Sequence, residues 1–355
     1  MASADIPMRI AATGFVSAQA GSVASANALL LRGLLERGCE VDFFSKASFV
    51  DPRPIIGNHP TFRFFDVDNR FADRIRAKME RIPLAGKLAS QADAATYNRL
   101  LVQTMNAVHA GSRFDLALWL GDYAAGPVAG IPTVSFAQGP PGTDARSLLS
   151  RFSEVRALAG SAAAWKWRAM ASFRLSSFGL PDFRPSDRII IGSGQSRSTL
   201  ENRYGIARDR IRILPYPIDL EQFRLPGATE SVPGLRVLWV GRIIPRKRLD
   251  LFLDAAARAI GAGTDLTLSI VGNVGFVPGY EKLIRAFPFP DRLHWDPFIP
   301  REKIPAVMHG HDVLVQPSEE ENFGSSVAEA QACGLPVIVG ATNGNADFLC
   351  PRDIR

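Results

Sequence analysis

Cysteine is scarce in this sequence, and its scarcity excludes several kinds of protein. Among 355 residues only Cys39, Cys333 and Cys350 are cysteines, an odd number at wide spacings. Disulfide-stabilised secreted domains are rich in cysteine, and structural metal sites need ligands that cluster. The pattern therefore predicts reduced thiols in a cytoplasmic protein that has no metal site.

Long hydrophobic runs are also missing. Residues 1–8 lack a basic segment followed by an apolar core, so we expect no signal peptide. The alanine-rich stretch after Ile10 is interrupted by polar residues and glycine, which argues against a membrane span. No internal repeat or low-complexity tract occurs. The composition, 46% hydrophobic and 21% charged, is ordinary for a globular protein, and the length suits two domains.

The positive charge is unevenly distributed. Residues 1–219 contain 27 basic and 19 acidic side chains, whereas the remaining residues contain 14 and 16. A basic cluster lies between Arg70 and Lys87. Such a surface can attract anionic lipid headgroups or a polyphosphate acceptor, which predicts peripheral contact with the inner face of a membrane. A solvated helix surface explains the cluster equally well. No nucleic-acid-binding motif accompanies it, so nucleic acid is not expected as a partner.

Short apolar runs alternate with longer amphipathic segments along the chain. This alternation predicts an α/β fold in which parallel sheets are covered by helices on both faces. Residues 225–234 are rich in proline and glycine and predict a linker. We therefore expect an N-terminal domain at 1–220 and a C-terminal domain at 221–355. Strands are predicted at residues 8–13, 40–44, 61–65, 114–119, 132–136, 188–191, 235–240, 266–271, 292–295, 313–316 and 336–339.

The segment from Glu321 to Glu329 carries the most specific chemistry. It follows a predicted strand and places a Gly-Ser turn at a probable helix start, between two carboxylates eight residues apart. Free N–H groups and the helix dipole at such a terminus bind phosphate oxygens. Carboxylates repel phosphate but accept hydrogen bonds from hydroxyl groups. Phosphate in the middle with hydroxyls at both ends describes a nucleotide sugar.

A second motif supplies cations. Gly241, Arg242 and Lys247 follow the predicted strand at 235–240, and Arg246 and Arg248 flank the lysine. Fixed cations can stabilise the charge that grows on a leaving diphosphate. Taken alone, this run favours a solvated basic turn, and it is the 321–329 segment beside it that makes a functional role the better interpretation. Likewise, the acidic run 319–321 is by itself typical of a protein surface.

Together with Leu214–Asp219, these motifs resemble those of retaining glycosyltransferases of family 4, which have the GT-B fold. The resemblance implies two Rossmann-like domains facing a cleft, a nucleotide-sugar donor, and no metal or other cofactor. It implies catalytic roles for Arg242, Lys247 and Glu321, and a ribose-binding role for Glu329. Donor contacts are implied for Gly241, Gly272, Phe298, Ile299, Asn322, Phe323, Gly324, Ser325 and Ser326.

The N-terminal half departs from the family pattern. The family's Gly-Gly loop is represented only by Gly21, and Gln138 stands where the family often has a histidine. Glutamine can hydrogen-bond a sugar but cannot act as a base. Front-face attack, in which the leaving phosphate takes the acceptor proton, tolerates this absence. Only residues 340–355 follow the last predicted strand, so a C-terminally truncated donor domain is expected.

Two other motifs are discounted as sites. Asp66 and Asp68 form a D-x-D pattern at the end of a short strand, which we interpret as loop solvation. Gly192 and Gly194 imitate a dinucleotide fingerprint without its third glycine, so a helix-capping turn is predicted there.

The sequence therefore predicts a metal-independent retaining glycosyltransferase that uses a saccharide or lipid-linked acceptor, in bacterial polysaccharide or glycolipid assembly. Two alternatives stay open. A sugar-nucleotide epimerase shares the fold but needs acid and base side chains around the sugar, and no suitably placed histidine is found in the N-terminal half. A non-catalytic nucleotide-sugar binding fragment would bind the donor without turnover.

Overall fold

The computed structural model describes residues 7–17, 22–48, 50–67, 83–227 and 233–349, with the side chains of Ser22 and of residues 83–94 left out. Gly21, Asp68, Cys350 and the side chains of the basic cluster at 70–87 lie outside the described residues. By contact density the chain divides into two compact units. Unit 1 comprises residues 1–138, 181–191 and 206–212, and unit 2 comprises residues 139–180, 192–205 and 213–355.

Unit 1 is built on a seven-stranded sheet. Its order is β3-β2-β1-β4-β5-β6-β7, and the pairs from β3 through β6 are parallel. The strands are β1 Arg9–Gly14, β2 Glu40–Ser45, β3 Phe62–Asp66, β4 Leu116–Gly121, β5 Thr133–Ala137, β6 Arg188–Ile191 and β7 Ile211–Ile213. The helices in the described part of this unit are α1 Ser22–Glu36, α2 Arg53–Ile56 and α3 Pro83–Gly111. Leu101 and Met105 of α3 pack on Phe44 and Trp119. This packing removes the apolar side chains on one face of the sheet from water.

Unit 2 contains a parallel five-stranded sheet in the order β10-β9-β8-β11-β12. Its strands are β8 Leu235–Val240, β9 Leu266–Val271, β10 Leu293–Asp296, β11 Val313–Gln316 and β12 Val337–Val339. Successive residues of a strand point to opposite faces. Val237 and Trp239 accordingly enter one apolar cluster, whereas Leu238 enters another.

Helices cover both faces of this second sheet. The helices described in unit 2 are α4 Thr143–Ser150, α5 Phe152–Ala159, α6 Ser161–Arg174, α7 Gly194–Tyr204, α8 Leu249–Gly261, α9 Glu281–Arg285, α10 Ile304–His309 and α11 Ser325–Ala332. Leu148, Val155 and Ala164 of the α4–α6 segment share the cluster of Trp239. The linear sequence does not indicate this packing, because these helices precede the sheet by some seventy residues.

The predicted α/β architecture with two parallel sheets is confirmed. Strand β7, Ile211–Ile213, was not predicted. The capping turn predicted before α7 is present, because Ser193 Oγ accepts a hydrogen bond from the N–H of Ser196 at 3.2 Å. Among the described residues, no helix is long and apolar enough to cross a membrane. The domain limit predicted at 220/221 stays a prediction.

Candidate functional site

The candidate site lies at the carboxyl edge of the five-stranded sheet. Gly241 follows β8, Gly272 follows β9, Phe298 comes two residues after β10, and the 321–329 segment follows β11. In parallel sheets these ends meet at one edge, and ligands bind there. One unit thus gathers the motifs that the sequence places eighty residues apart.

Two glycines allow the first loops at this edge to approach each other. Gly272 has a φ of 141°, and a Cβ built on it would lie 1.9 Å from the carbonyl oxygen of Gly241. Gly241 itself has a φ of 156°, and a Cβ built on it would lie 3.5 Å from Gln316 Nε2 and 3.6 Å from Lys247 Cε, which is ordinary contact distance. Gly272 is therefore required by close backbone packing, whatever its role toward a donor.

Helix α11 begins at the Gly-Ser turn, as predicted. Gly324 adopts the left-handed conformation with φ 79°, and a Cβ there would lie 2.6 Å from the Asn343 side-chain oxygen. The first N–H groups of a helix have no partner within it, so those of Ser325 and Ser326 are available to an anion. Ser326 Oγ donates to Gln316 Oε1 at 2.6 Å, which fixes the helix start against β11.

Asn322 and Phe323 are buried and form the floor of this turn. Asn322 donates from Nδ2 to the Tyr216 hydroxyl at 2.7 Å and accepts from the N–H of Gly192 at 3.1 Å. The Phe323 ring packs against Tyr216 and Phe348, with ring centroids 5.4 and 5.9 Å apart. Their side chains are thus committed to the interior, and the Phe323 carbonyl oxygen accepts a hydrogen bond from Asn345 Nδ2.

Glu321 is held by two cations. Its Oε2 accepts from Lys247 Nζ at 2.6 Å and from Arg246 at 2.8 Å, and its side chain is 14% exposed. Burial opposes ionisation, but the attraction of Arg246 and Lys247 outweighs it and lowers the pKa of Glu321 to about 2. This carboxylate is therefore ionised and acts only as an acceptor.

Arg246 was not predicted as a site residue. It is buried and also donates to Asp144 of α4 at 2.7 Å, so two carboxylates neutralise it, and their attraction raises its pKa despite burial. The sequence offered one signal, its place next to Lys247 in a basic run. Its partners lie 75 and 102 residues away and could not be found from spacing.

Lys247 and Arg242 differ in exposure. Burial lowers the pKa of Lys247, and repulsion from Arg246 and Arg242 acts in the same direction. The attraction of Glu321 raises this pKa but does not outweigh the other effects. Arg242 is exposed, and within the described residues it forms no ion pair. The predicted pair therefore offers one free cation at the surface and one cation held by a carboxylate.

Glu329 lies on α11 and is 6% exposed in its side chain. Its Oε1 accepts from Arg301 at 2.7 Å, and the Arg301 guanidinium lies 5.1 Å from the centroid of the Phe223 ring. Burial raises the pKa of Glu329, and Arg301 opposes this only in part. Glu329 is therefore a buried position of α11 and not an exposed one.

The remaining predicted residues divide between the units. Ile299 is partly buried against the apolar cluster of β11, whereas Phe298 is 76% exposed. Gln138 belongs to unit 1, where it is exposed and directly follows β5. The roles assigned to these residues stay predictions.

The comparisons with known proteins decide the family. The model described as Glycosyltransferase Family 4 matches residues 23–222, and the model described as Glycosyl transferases group 1 matches residues 230–354. The chain belongs to glycosyltransferase family 4. The resemblance stated from its motifs is thereby confirmed.

The curated relatives of this family 4 member align with different fractions of its length. The D-inositol 3-phosphate glycosyltransferase of Thermomonospora curvata is 30% identical over 181 residues, 45% of this chain and 42% of that protein. The protein of the same name from Thermobifida fusca is 25% identical over 339 residues, 88% of this chain and 70% of that protein. The chain spans under half the length of several curated relatives that it matches.

The solved structures agree on the fold. The crystal structure of Anabaena Alr3699/HepE in complex with UDP and glucose has a TM-score of 0.58 at 17% identity, covering 97% of this chain and 83% of that one. At this identity the likeness concerns the fold alone. With the family matches, it confirms the predicted α/β GT-B fold.

Proposed function

We propose that this chain transfers a sugar from a nucleotide-diphosphate donor to a saccharide or lipid-linked acceptor, with retention of configuration and without a metal ion. The observation that carries the proposal is the arrangement around α11. Free N–H groups at its start lie between two buried carboxylates, Glu321 and Glu329, and Lys247 contacts the first of them. Phosphate and hydroxyl groups are the ligands that suit this order of charges.

The diphosphate would be bound by Arg242, Lys247 and the N–H groups of Ser325 and Ser326. Arg242 has no competing carboxylate among the described residues, so its guanidinium is available to phosphate oxygens. The UDP and glucose named for the Anabaena neighbour support a donor of this class. Glu329 would accept hydrogen bonds from the ribose hydroxyls at the other end of the segment.

Lys247 would change partners when the donor binds. Its ammonium lies 2.6 Å from the Glu321 carboxylate. A diphosphate carries more negative charge than one carboxylate and would attract Lys247, which leaves Glu321 free to accept hydroxyls of the donor sugar. The exchange keeps both groups charged and paired throughout.

During transfer the bond between the anomeric carbon and the β-phosphate oxygen breaks, and the acceptor oxygen bonds the same carbon on the same face. The acceptor proton passes to the leaving phosphate, so no side-chain base is needed, and Gln138 at the end of β5 is compatible with this route. Negative charge grows on the diphosphate, and fixed cations lower that barrier. The relatives named for D-inositol 3-phosphate support a polyhydroxylated acceptor.

A thermal-shift screen with UDP, GDP, ADP and dTDP, without metal, tests the proposed donor site. A ligand present at 100 times its dissociation constant adds about 2.7 kcal/mol of stability. We expect one nucleotide to stabilise the wild type and Arg242→Ala to weaken its binding about tenfold. Arg285→Ala is the matched control, because Arg285 is an exposed arginine on α9 of the same unit. Equal losses in both variants, or no stabilisation of the wild type, would contradict the proposal.

A further inference from the structure

Three consecutive carboxylates before α11 are each paired with different cations. Glu319 accepts from Arg151 at 2.5 Å and from Arg248 at 2.8 Å. Glu320 accepts from both Nη2 and Nε of Arg146, at 2.5 and 3.0 Å. Glu321 takes Arg246 and Lys247, as described above. The members of the acidic run are therefore ion-paired, although the side chains of Glu319 and Glu320 are 35% and 38% exposed. Their partners come from α4, from the junction of α4 and α5, and from the loop after β8.

The backbone is strained at two places in this network. Arg248 and Glu320, with φ of 52° and 46°, are the non-glycine residues with positive φ in the described part of the chain. Side chains with a Cβ rarely adopt this conformation, and it persists where surrounding contacts impose it. Arg248 directly follows Lys247, and Glu320 directly precedes Glu321. The strained positions thus flank the two groups proposed to act on the donor.

Arg146 is the best anchored member of the network. Its side chain is 9% exposed, and it also donates to the carbonyl oxygen of Pro141 at 2.8 Å and to the Tyr204 hydroxyl at 2.9 Å. The position of the guanidinium is therefore fixed by contacts other than its ion pair with Glu320. The two strained loops are joined as well, since the N–H of Glu319 donates to the carbonyl oxygen of Arg246 at 2.9 Å.

We infer that Arg146 and Arg151 are positioning residues, which hold the loop 317–321 in its strained backbone and so present Glu321 and Lys247 to the donor. Exposed ion pairs by themselves add little stability, and the Glu320 side chain is 38% exposed. The ion pair with Arg146 instead stabilises the positive-φ backbone conformation of Glu320, the residue before Glu321. The inference rests on the proposed donor site for its effect on binding.

Arg146→Met tests this role, because methionine keeps most of the apolar stem and removes the fork of donors. The released loop would relax at Glu320, and only part of the population would remain competent to bind. Strain typical of one left-handed residue predicts nucleoside diphosphate binding about fivefold to thirtyfold weaker. The probe is whichever of UDP, GDP, ADP and dTDP stabilises the wild type most. Arg151→Met should act in the same direction.

A second substitution separates positioning from simple loss of charge. Glycine adopts positive φ without strain, so Arg146→Met with Glu320→Gly should bind the nucleotide within about twofold of the wild type. Arg146→Met with Glu320→Gln removes the same charges but keeps the Cβ, and it should stay impaired. Arg236→Met is the matched control. Its ion pair with Asp312, at 2.8 Å, joins the amino ends of β8 and β11, at the sheet edge away from the candidate site, and its loss should leave binding unchanged.

Hydrogen exchange of the unliganded protein gives an independent readout. We expect faster exchange at residues 317–326 in Arg146→Met but not in Arg236→Met. If no nucleotide binds even the wild type, the proposed donor site fails while this exchange comparison still decides the positioning role. Unchanged exchange in Arg146→Met, or equal binding by the Gly and Gln double variants, would overturn the inference.

Discussion

The two carboxylates that bound the 321–329 segment are buried to a similar degree, yet their ionisation is shifted in opposite directions. Glu321 binds two cations, and its pKa is lowered to about 2. Glu329 binds Arg301 alone, and burial raises its pKa. Burial penalises both anions, so the number of cations decides which way the balance falls. The comparison teaches that one motif contains a firmly ionised acceptor at one end and a weakly held anion at the other.

Neutralising each carboxylate should therefore have unequal effects on stability. Glu321→Gln leaves Lys247 buried beside Arg246 without its carboxylate, and such a broken buried pair costs about 3–5 kcal/mol. Glu329→Gln removes an anion that burial already disfavours, so about 1–2 kcal/mol is expected. Urea unfolding at pH 7 measures both. Equal losses would break the distinction drawn between the two ends.

The dependence of the unfolding free energy on pH below neutrality also distinguishes Glu321 from Glu329. A group with a depressed pKa stabilises the fold above its unfolded value of 4.5, and this contribution is lost as pH falls toward 2. For Glu321 it amounts to about 3 kcal/mol. Glu329 has the opposite sign, because its raised pKa favours the folded state at low pH and this contribution is lost as pH rises through the folded value.

Unfolding free energies between pH 6 and pH 2 should then separate the variants. The wild type should lose stability across this window, and Glu321→Gln should flatten the loss. Glu329→Gln should leave it as steep or make it steeper. A slope unaltered by Glu321→Gln would show that other carboxyl groups cause the acid sensitivity.

Sequence patterns predicted the sheet architecture because apolar runs and turn residues are local features. The strands at 235–240, 266–271 and 313–316 have the predicted limits, and Gly324 begins the predicted helix. Strand β7 was missed, since Ile211, Arg212 and Ile213 form no continuous apolar run, whereas the equally short β12 does. Local chemistry also sufficed for Ser193, whose capping role follows from its place before α7.

The partners of the site residues could not be predicted in this way. Asp144, Arg146 and Arg151 lie on α4 and at the start of α5, about 100 to 175 residues before the groups they bind. No spacing rule connects such positions, because the contacts arise only when α4 and α5 pack in unit 2. Arg301 was missed for a related reason. It follows the short strand β10 and pairs with Glu329 of α11, and α10 and β11 lie between the two residues in the sequence.

In the proposed donor site, the start of α11 binds a diphosphate and Glu329 accepts hydrogen bonds from the ribose hydroxyls. Calorimetric titration of the best nucleoside diphosphate and of its 2′,3′-dideoxy analogue, on the wild type and on Glu329→Met, tests this most directly. We expect the wild type to bind the natural nucleotide at least about tenfold more tightly than the analogue and Glu329→Met to bind both alike. A variant that still prefers the natural nucleotide by the same factor would contradict it.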